Sequence, residues 1–175
     1  MEIFGIIVKI RYICNMKIIM PIGISGSGKT RLYHKRYEGM TLVSPDEIRK
    51  EISGSISNQK CNNQVFKKGD AMVESLVRDN IDFYYDATNC NPTFRKEFVE
   101  RFRGSDVKIV YMVLPCDMES CRMRIKTDLK NKVDRSNVPF EVLIRQKGFY
   151  NQSIKSGFEG ENVQEIIYLK PEDLI

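Results

Sequence analysis

The sequence predicts an α/β fold in which helices cover both faces of a central parallel sheet. Short apolar runs, typical of buried strands, alternate along the chain with longer segments of helical periodicity. A glycine-rich turn separates the first apolar run from the first helical segment. The length of 175 residues and a hydrophobic content of 42% suit a single domain with a substantial core.

The strands are predicted from apolar runs and the helices from 3.6-residue periodicity. Strands are predicted at residues 17–22, 41–43, 81–85, 107–114 and 165–169. Helices are predicted at residues 29–35, 46–52, 63–78, 92–102, 118–129 and 139–155. No linker between these elements is long enough to divide the chain, so we expect residues 16–175 to form one domain.

Residues 1–15 are expected to be an extension outside this domain, or the product of an upstream start codon. The segment is fairly apolar, but Glu2, Lys9 and Arg11 interrupt it and it is too short for a membrane span. No small-residue cleavage site follows a clean apolar run, as it would in a signal peptide. We therefore expect no membrane partner.

The cysteines and the net charge are weak indicators of function. The five cysteines are Cys14, Cys61, Cys90, Cys116 and Cys121. They lack metal-type spacing, which predicts free thiols in the cytoplasm and no zinc site. The net charge of +5 is compatible with a phosphate-rich ligand. Basic residues on the predicted helices form either a phosphate-tracking surface or solvated faces; they are Lys67, Lys68, Arg95, Lys96, Arg101 and Arg103.

The glycine-rich turn at 23–30 fits the phosphate-binding P-loop pattern G-x-x-x-x-G-K-[ST]. In this pattern backbone N–H groups point at the phosphates of a nucleotide such as ATP. Nucleotide contacts are expected from Gly23, Ser25, Gly26, Ser27, Gly28, Lys29 and Thr30. Lys29 would reach the β- and γ-phosphates, and Thr30 would place its hydroxyl on Mg²⁺.

Carboxylates follow the second and third predicted strands, at the sheet edge where ligands bind in open parallel sheets. Asp46 could accept a proton from an attacking hydroxyl, and Arg49 lies three residues further on the same helical face. Alternatively, Ser44 and Asp46 only cap the helix and Arg49 is a solvated partner. Asp86 follows an apolar strand and is predicted to hold, through water, the Mg²⁺ that Thr30 binds, or else to orient Thr30 or the catalytic carboxylate.

A basic segment follows the fourth predicted strand. Its charged residues include Arg122, Arg124, Lys126, Lys130, Lys132 and Arg135. Most charge runs are solvated faces, but in P-loop kinases this position belongs to a lid whose arginines close over ATP. We therefore predict a basic helical lid at about 122–138, in which one or two arginines act on the transferring phosphoryl group.

The tetrapeptide at 131–134 fits the N-K-x-D pattern that reads guanine in GTPases. That pattern follows an apolar strand in GTPases, whereas here it follows the polar stretch 126–130. The D-x-x-G pattern of GTPases also occurs nowhere in the chain. We therefore interpret the match as accidental.

The motifs, in this order and spacing, resemble bacteriophage-type 5′-hydroxyl polynucleotide kinases and the wider group of zeta-toxin-like P-loop kinases. The resemblance covers residues 16–150. It includes GISGSGKT at 23–30, SPDEIR at 44–49, DATNCNP at 86–92, CRMR at 121–124 and RSNVPFEVL at 135–143.

This resemblance implies that Asp46 is the general base, that Arg49 holds a phosphate of the acceptor, and that Arg124 and Arg135 are lid arginines. The segment between Arg124 and residue 138 is longer than in the phage enzyme, so that Arg122 or Lys132 could act instead. Asp86 also lies one residue earlier relative to the following Thr-Asn than the acidic residue of that enzyme.

The function implied by the resemblance is ATP- and Mg²⁺-dependent phosphoryl transfer to a hydroxyl, first of all the 5′-OH end of RNA or DNA. The alternative acceptor is a nucleoside or a small-molecule hydroxyl. A non-catalytic ATP-binding module is the less favoured class, because the sequence offers a base, a metal ligand and lid arginines together. The sequence sets no expectation for the oligomeric state.

Overall fold

The computed structural model describes residues 16–174, and all its strands lie in one parallel sheet. In chain order, strands β1 to β5 are Lys17–Ile22, Thr41–Val43, Phe83–Tyr85, Lys108–Val113 and Glu165–Tyr168. Their order across the sheet is β2-β3-β1-β4-β5. The predicted α/β class with a central parallel sheet is therefore confirmed.

Helices connect the strands. The α-helices α1 to α6 are Lys29–Leu32, Pro45–Ser53, Asn62–Arg78, Pro92–Glu100, Met118–Lys130 and Phe140–Ser156. A π-helical turn, Tyr33–Tyr37, extends α1, and short 3₁₀ helices are formed by Gln59–Cys61 and Pro171–Leu174. Within residues 16–174 no helix combines the length and apolar character needed to cross a membrane.

The sheet is covered on both faces, as its continuous apolar strands require. β1 pairs with β3 on one side and with β4 on the other, with Ile18 opposite both Phe83 and Ile109. Alternate side chains enter two separate cores. Ile18 packs in one buried cluster, whereas Ile19 packs with Tyr84 in the other.

Some strands and helices begin or end at other residues than predicted, because the residues at those positions make the hydrogen bonds that end a helix. The third strand begins at Phe83 rather than at residue 81, because Ile81 N–H donates to Leu76 O at 2.9 Å. This bond, with Asn80 at φ 55°, ends α3. At the end of α4, the N–H groups of Arg101 and Phe102 donate to carbonyls three residues earlier, Phe98 O and Val99 O, instead of four. The α-helix therefore stops at Glu100.

A buried ion pair joins α4 to the segment that precedes β5. The side chains of Arg95 and Glu161 are 0% and 2% exposed. The guanidinium donates to both carboxylate oxygens, at 2.8 and 2.6 Å, and Tyr111 Oη donates to the same carboxylate at 2.7 Å. Both alternatives predicted for Arg95, a phosphate-tracking surface and a solvated helix face, are therefore wrong, because its guanidinium is buried inside the protein.

The predictions for the two ends of the chain and for the cysteines remain. The predicted extension over residues 1–15, with Cys14, lies outside the described residues. The extent of the domain to residue 175 stays a prediction. The other cysteines, Cys61, Cys90, Cys116 and Cys121, are free thiols in the structure.

Removing one partner of the buried ion pair should have a measurable effect on folding stability. Glu161→Ala leaves the Arg95 charge buried and unpaired, and should lower the free energy of unfolding by about 3–5 kcal/mol in urea titrations. The control is Glu165→Ala. Glu165 pairs with Lys108 at 2.7 Å, but the two side chains are 43% and 40% exposed. Its loss should cost at most about 1 kcal/mol, and equal losses in both variants would contradict this account.

Candidate active site

The predicted site residues meet at the carboxyl edge of the sheet. Residue 23 follows the end of β1, Ser44 follows β2, and Asp86 follows β3. The three strands are parallel neighbours in the order β2-β3-β1, so the segments that follow them leave the sheet at the same edge. Asp86 therefore lies between the P-loop and the start of α2.

The P-loop needs its glycines at two positions. Gly26 and Gly28 have φ angles of 82° and 103°, in the left-handed region that favours glycine. A Cβ on Gly26 would also lie 2.5 Å from the carbonyl oxygen of Cys121 on α5. The loop is also bound to α6, because Ser25 N–H donates to Gln146 Oε1 at 2.9 Å.

Lys29 lies inside the curve of the loop. Its side chain is buried, and its ammonium donates to the carbonyl oxygens of Gly23 and Ile24, at 3.0 Å each. Tyr84 Oη fixes the start of α1 by donating to Lys29 O at 2.8 Å. The loop thus holds one cation at its centre, next to the backbone N–H groups of the first helical turn.

Thr30 and Asp86 form the second pair at this edge. Thr30 Oγ1 donates to Asp86 Oδ2 at 2.7 Å, although 56 residues separate them in the chain. Burial raises the pKa of Asp86, while the Lys29 charge and the Thr30 hydrogen bond oppose this shift. A hydroxyl oxygen and a carboxylate beside a phosphate-binding loop are ligands that suit Mg²⁺. These residues therefore fit the cation that the motif implies.

Asp46 and Arg49 form an ion pair on the first turns of α2. The cap is Ser44, whose hydroxyl accepts from Glu47 N–H at 3.4 Å. Arg49 is not solvated: its side chain is 6% exposed, against 53% for Asp46. Its Nε and Nη2 also donate to Asn62 Oδ1, at 3.3 and 3.2 Å. The arrangement is a fixed guanidinium beside a half-exposed carboxylate.

The basic segment is only partly helical. α5 ends at Lys130, and residues 131–139 form an irregular connection to α6. The N-K-x-D residues follow the C-terminal end of α5 and close its last turn, since Val133 N–H donates to Asp128 O at 2.9 Å. Asp134, the last of the four, pairs with Lys50 at 3.0 Å.

The arginines of the basic segment lie in different surroundings. Arg124 Nη1 donates to Gly26 O of the P-loop at 3.2 Å. Arg122 lies over the ring of Phe140, 4.6 Å from its centroid, and pairs with Glu119 at 3.7 Å. Of these two residues, Arg124 is therefore the one that the structure brings to the phosphate-binding loop.

Arg135 is held at the junction between the basic segment and the loop before α3. Its Nη1 pairs with Asp128, and Ser57 Oγ donates to its carbonyl oxygen at 3.1 Å. Its buried Nε has no hydrogen-bond partner among residues 16–174. The next residue, Ser136, lies 3.4 Å from Asp46 Oδ1. Arg135 is thus held near Asp46 at the start of α2 rather than at the P-loop.

Two residues that hold the site together were not predicted from the sequence. Asn62 orients Arg49, and Gln146 binds the P-loop across 121 residues of chain. Neither belongs to a motif, and no local pattern marks them. They become visible only when the fold brings α3 and α6 to this edge.

Comparisons with known proteins agree with this geometry. A family model for an AAA domain, AAA_33, matches residues 18–152, which include the P-loop, Asp46, Asp86, Arg124 and Arg135. A search of curated proteins gave no match.

Among solved structures, a chain of the Pnkp1/Rnl/Hen1 RNA repair complex matches with a TM-score of 0.68 at 17% identity, over 81% of this chain and 46% of that one. This chain thus spans less than half of that protein's length. A sugar kinase from Janibacter sp. HTCC2649 matches with a TM-score of 0.56 at 18% identity, over 92% and 90% of the two chains. A gluconokinase from Sinorhizobium meliloti 1021 matches at 0.51 and 15%, over 94% and 91%.

At these identities the solved structures establish the fold. That fold is an α/β fold of the P-loop type, which agrees with the match of the family model. The match of the family model extends over most of the chain. The chain therefore belongs to the AAA_33 family of AAA domains.

Proposed function

We propose that this protein transfers the γ-phosphoryl group of ATP to the 5′-hydroxyl end of RNA or DNA. The observation that carries the proposal is the buried Arg49 beside the half-exposed Asp46, at the same sheet edge as the P-loop. A nucleic acid offers a phosphate one nucleotide away from its 5′-hydroxyl. A fixed guanidinium and a carboxylate suit that pair of groups.

The donor half of the site consists of the P-loop, Lys29, Thr30 and Asp86. Backbone N–H groups of the loop bind the phosphates, and Lys29 neutralises charge on the β- and γ-phosphates. Thr30 and Asp86 would hold Mg²⁺, which supplies positive charge to the phosphate oxygens when it is bound. The 2.7 Å hydrogen bond between these two residues supports their assignment to one ion.

The acceptor half consists of Asp46 and Arg49. The acceptor oxygen forms a bond to the γ-phosphorus while the bond from that phosphorus to the bridging oxygen of ADP breaks. The hydroxyl proton passes to Asp46, which later releases it to water. Arg49, held by Asn62, binds the neighbouring acceptor phosphate and so orients the hydroxyl.

Two arginines of the basic segment complete the proposal. Arg124, already in contact with Gly26 O, stabilises charge on the transferring group. Arg135 is assigned the same task from the acceptor side, for which it must exchange Asp128 for the phosphoryl group. Its unpartnered Nε is compatible with a guanidinium that has a second binding position.

A second candidate acceptor is a small-molecule hydroxyl. It is favoured by the extent of the matches, since the sugar kinase and the gluconokinase match over 90% and 91% of their own lengths. The RNA repair protein, with the higher TM-score of 0.68, matches over only 46% of its length. The basic net charge of +5 and the Asp46–Arg49 pair favour the nucleic acid acceptor.

The test is transfer of label from γ-labelled ATP to a 5′-OH oligonucleotide, to a nucleoside mixture and to gluconate with simple sugars. We expect label on the oligonucleotide and none on a 5′-phosphorylated control oligonucleotide. Label only on a nucleoside or sugar would reject the polynucleotide acceptor and retain the kinase. ATP hydrolysis that no acceptor accelerates would favour a binding module.

Asp46→Asn should lower kcat by about 10²–10⁴-fold, because the amide keeps the shape of the side chain but cannot take up the proton. The affinity for ATP should remain nearly unchanged, measured by equilibrium binding of a fluorescent ATP analogue. Glu47→Gln is the matched control, since Glu47 is an exposed neighbour in the same helical turn. Wild-type turnover in Asp46→Asn would remove this carboxylate from the mechanism.

Arg124→Ala should lower kcat by about 10²–10³-fold, because one donor to the transferring group is lost. Arg122→Ala, two residues away and stacked on Phe140, should retain nearly full activity. Steady-state kinetics at saturating ATP separates the two variants. The reverse ranking would mean that Arg122 acts in the lid instead.

A further inference from the structure

The loop between β3 and α4 is bound on several sides, although only its first residue, Asp86, has a proposed part in the reaction. It covers residues 86–91. Its Thr88 carbonyl oxygen accepts from Gly23 N–H, the first residue of the P-loop motif, at 3.0 Å. Asp86 N–H donates to Val43 O at the end of β2, at 2.9 Å. The loop therefore contacts the ends of both neighbouring strands.

Asn89 connects the two strands that carry the donor half of the site. Its Nδ2 donates to Pro21 O in β1 at 2.8 Å and to Tyr85 O in β3 at 3.2 Å. Its φ is 49°, in the left-handed region, which asparagine tolerates better than most residues. One side-chain amide thus bridges the strand before the P-loop and the strand before Asp86.

Arg95 holds the same loop from below. Its Nη1 donates to Asn89 O at 2.6 Å and to Cys90 O at 3.0 Å. The other side of its guanidinium is fixed by Glu161 and by Ser153 Oγ, the latter at 2.8 Å. The side chain has no exposed surface, so it cannot leave these partners without opening the core.

We propose that Asn89 and Arg95 are positioning residues for the metal–nucleotide site, which they serve by fixing the loop that carries Asp86. This inference rests on the proposed roles of Thr30 and Asp86. Thr30 lies on α1, beyond β1 and the P-loop, and Asp86 follows β3, so their 2.7 Å contact depends on how the ends of those two strands are held together. Asn89 joins the ends directly, and Arg95 fixes the backbone of Asn89.

A purely structural role would give a different result. If Arg95 and Asn89 only stabilised the core, their variants would lose stability without a specific change in the Mg²⁺ requirement. Tyr111→Phe supplies the matched control, because it removes a hydrogen bond to the same Glu161 carboxylate without touching the loop.

The experiment measures binding of a fluorescent ATP analogue as Mg²⁺ is titrated, together with urea unfolding of each variant. Asn89→Gly keeps the left-handed backbone available and removes only the amide bridge. Arg95→Lys keeps the charge but cannot donate to Glu161 and to the loop carbonyls in the same geometry. Both should raise the half-saturating Mg²⁺ concentration about tenfold, as loss of a partner that orients a metal ligand does. Tyr111→Phe should leave it within about twofold.

An unchanged Mg²⁺ requirement in Asn89→Gly would overturn the inference, and so would an equal rise in Tyr111→Phe. If Arg95→Lys does not fold, Asn89→Gly and Tyr111→Phe decide the question alone. If the wild-type protein binds the ATP analogue equally well with and without Mg²⁺, both the inference and the proposed metal ligands are overturned. Failure to phosphorylate a 5′-OH oligonucleotide is a separate result, because this assay contains no acceptor.

Discussion

The whole site depends on the parallel pairing of β1 with β3 and of β3 with β2. In these pairs Ile19 lies opposite Tyr84, and Val43 lies opposite Tyr85. Because the strands run in the same direction, the chain segments that leave them begin at one edge. That edge brings together a phosphate-binding loop, a carboxylate and the start of a helix, which lie far apart in the sequence.

The charged residues at this edge form two groups, each with a cation beside a carboxylate. Lys29 lies inside the P-loop beside Asp86, and Arg49 lies beside Asp46 on α2. Each buried or half-buried cation thus has a carboxylate near it, which limits the cost of removing charge from water. The third buried cation, Arg95, is paired with Glu161 below the loop that joins the two groups. Folding and the geometry of the site therefore depend on the same interactions.

The sequence was sufficient for the fold class and for the residues that belong to motifs. Apolar runs located the strands, and the G-x-x-x-x-G-K-[ST] pattern located the loop in which Gly26 and Gly28 have left-handed backbone. The environment of a side chain was harder to predict. Arg49 and Arg95 occur in similar polar helical segments, yet both are buried. The burial of Arg95 could not be predicted, because its partner Glu161 lies far away in the sequence. Long-range hydrogen bonds of this kind leave no local pattern.

The central claim is that donor and acceptor halves share one edge of the sheet. Its most direct test is the affinity for a bisubstrate analogue in which the γ-phosphate of ATP is joined to the 5′-oxygen of a dinucleotide. The account predicts competition with both ATP and a 5′-OH oligonucleotide, and binding at least about 100-fold tighter than that of ATP, because linkage makes the second contact intramolecular. An analogue that binds no tighter than ATP, or that competes with ATP alone, would contradict it.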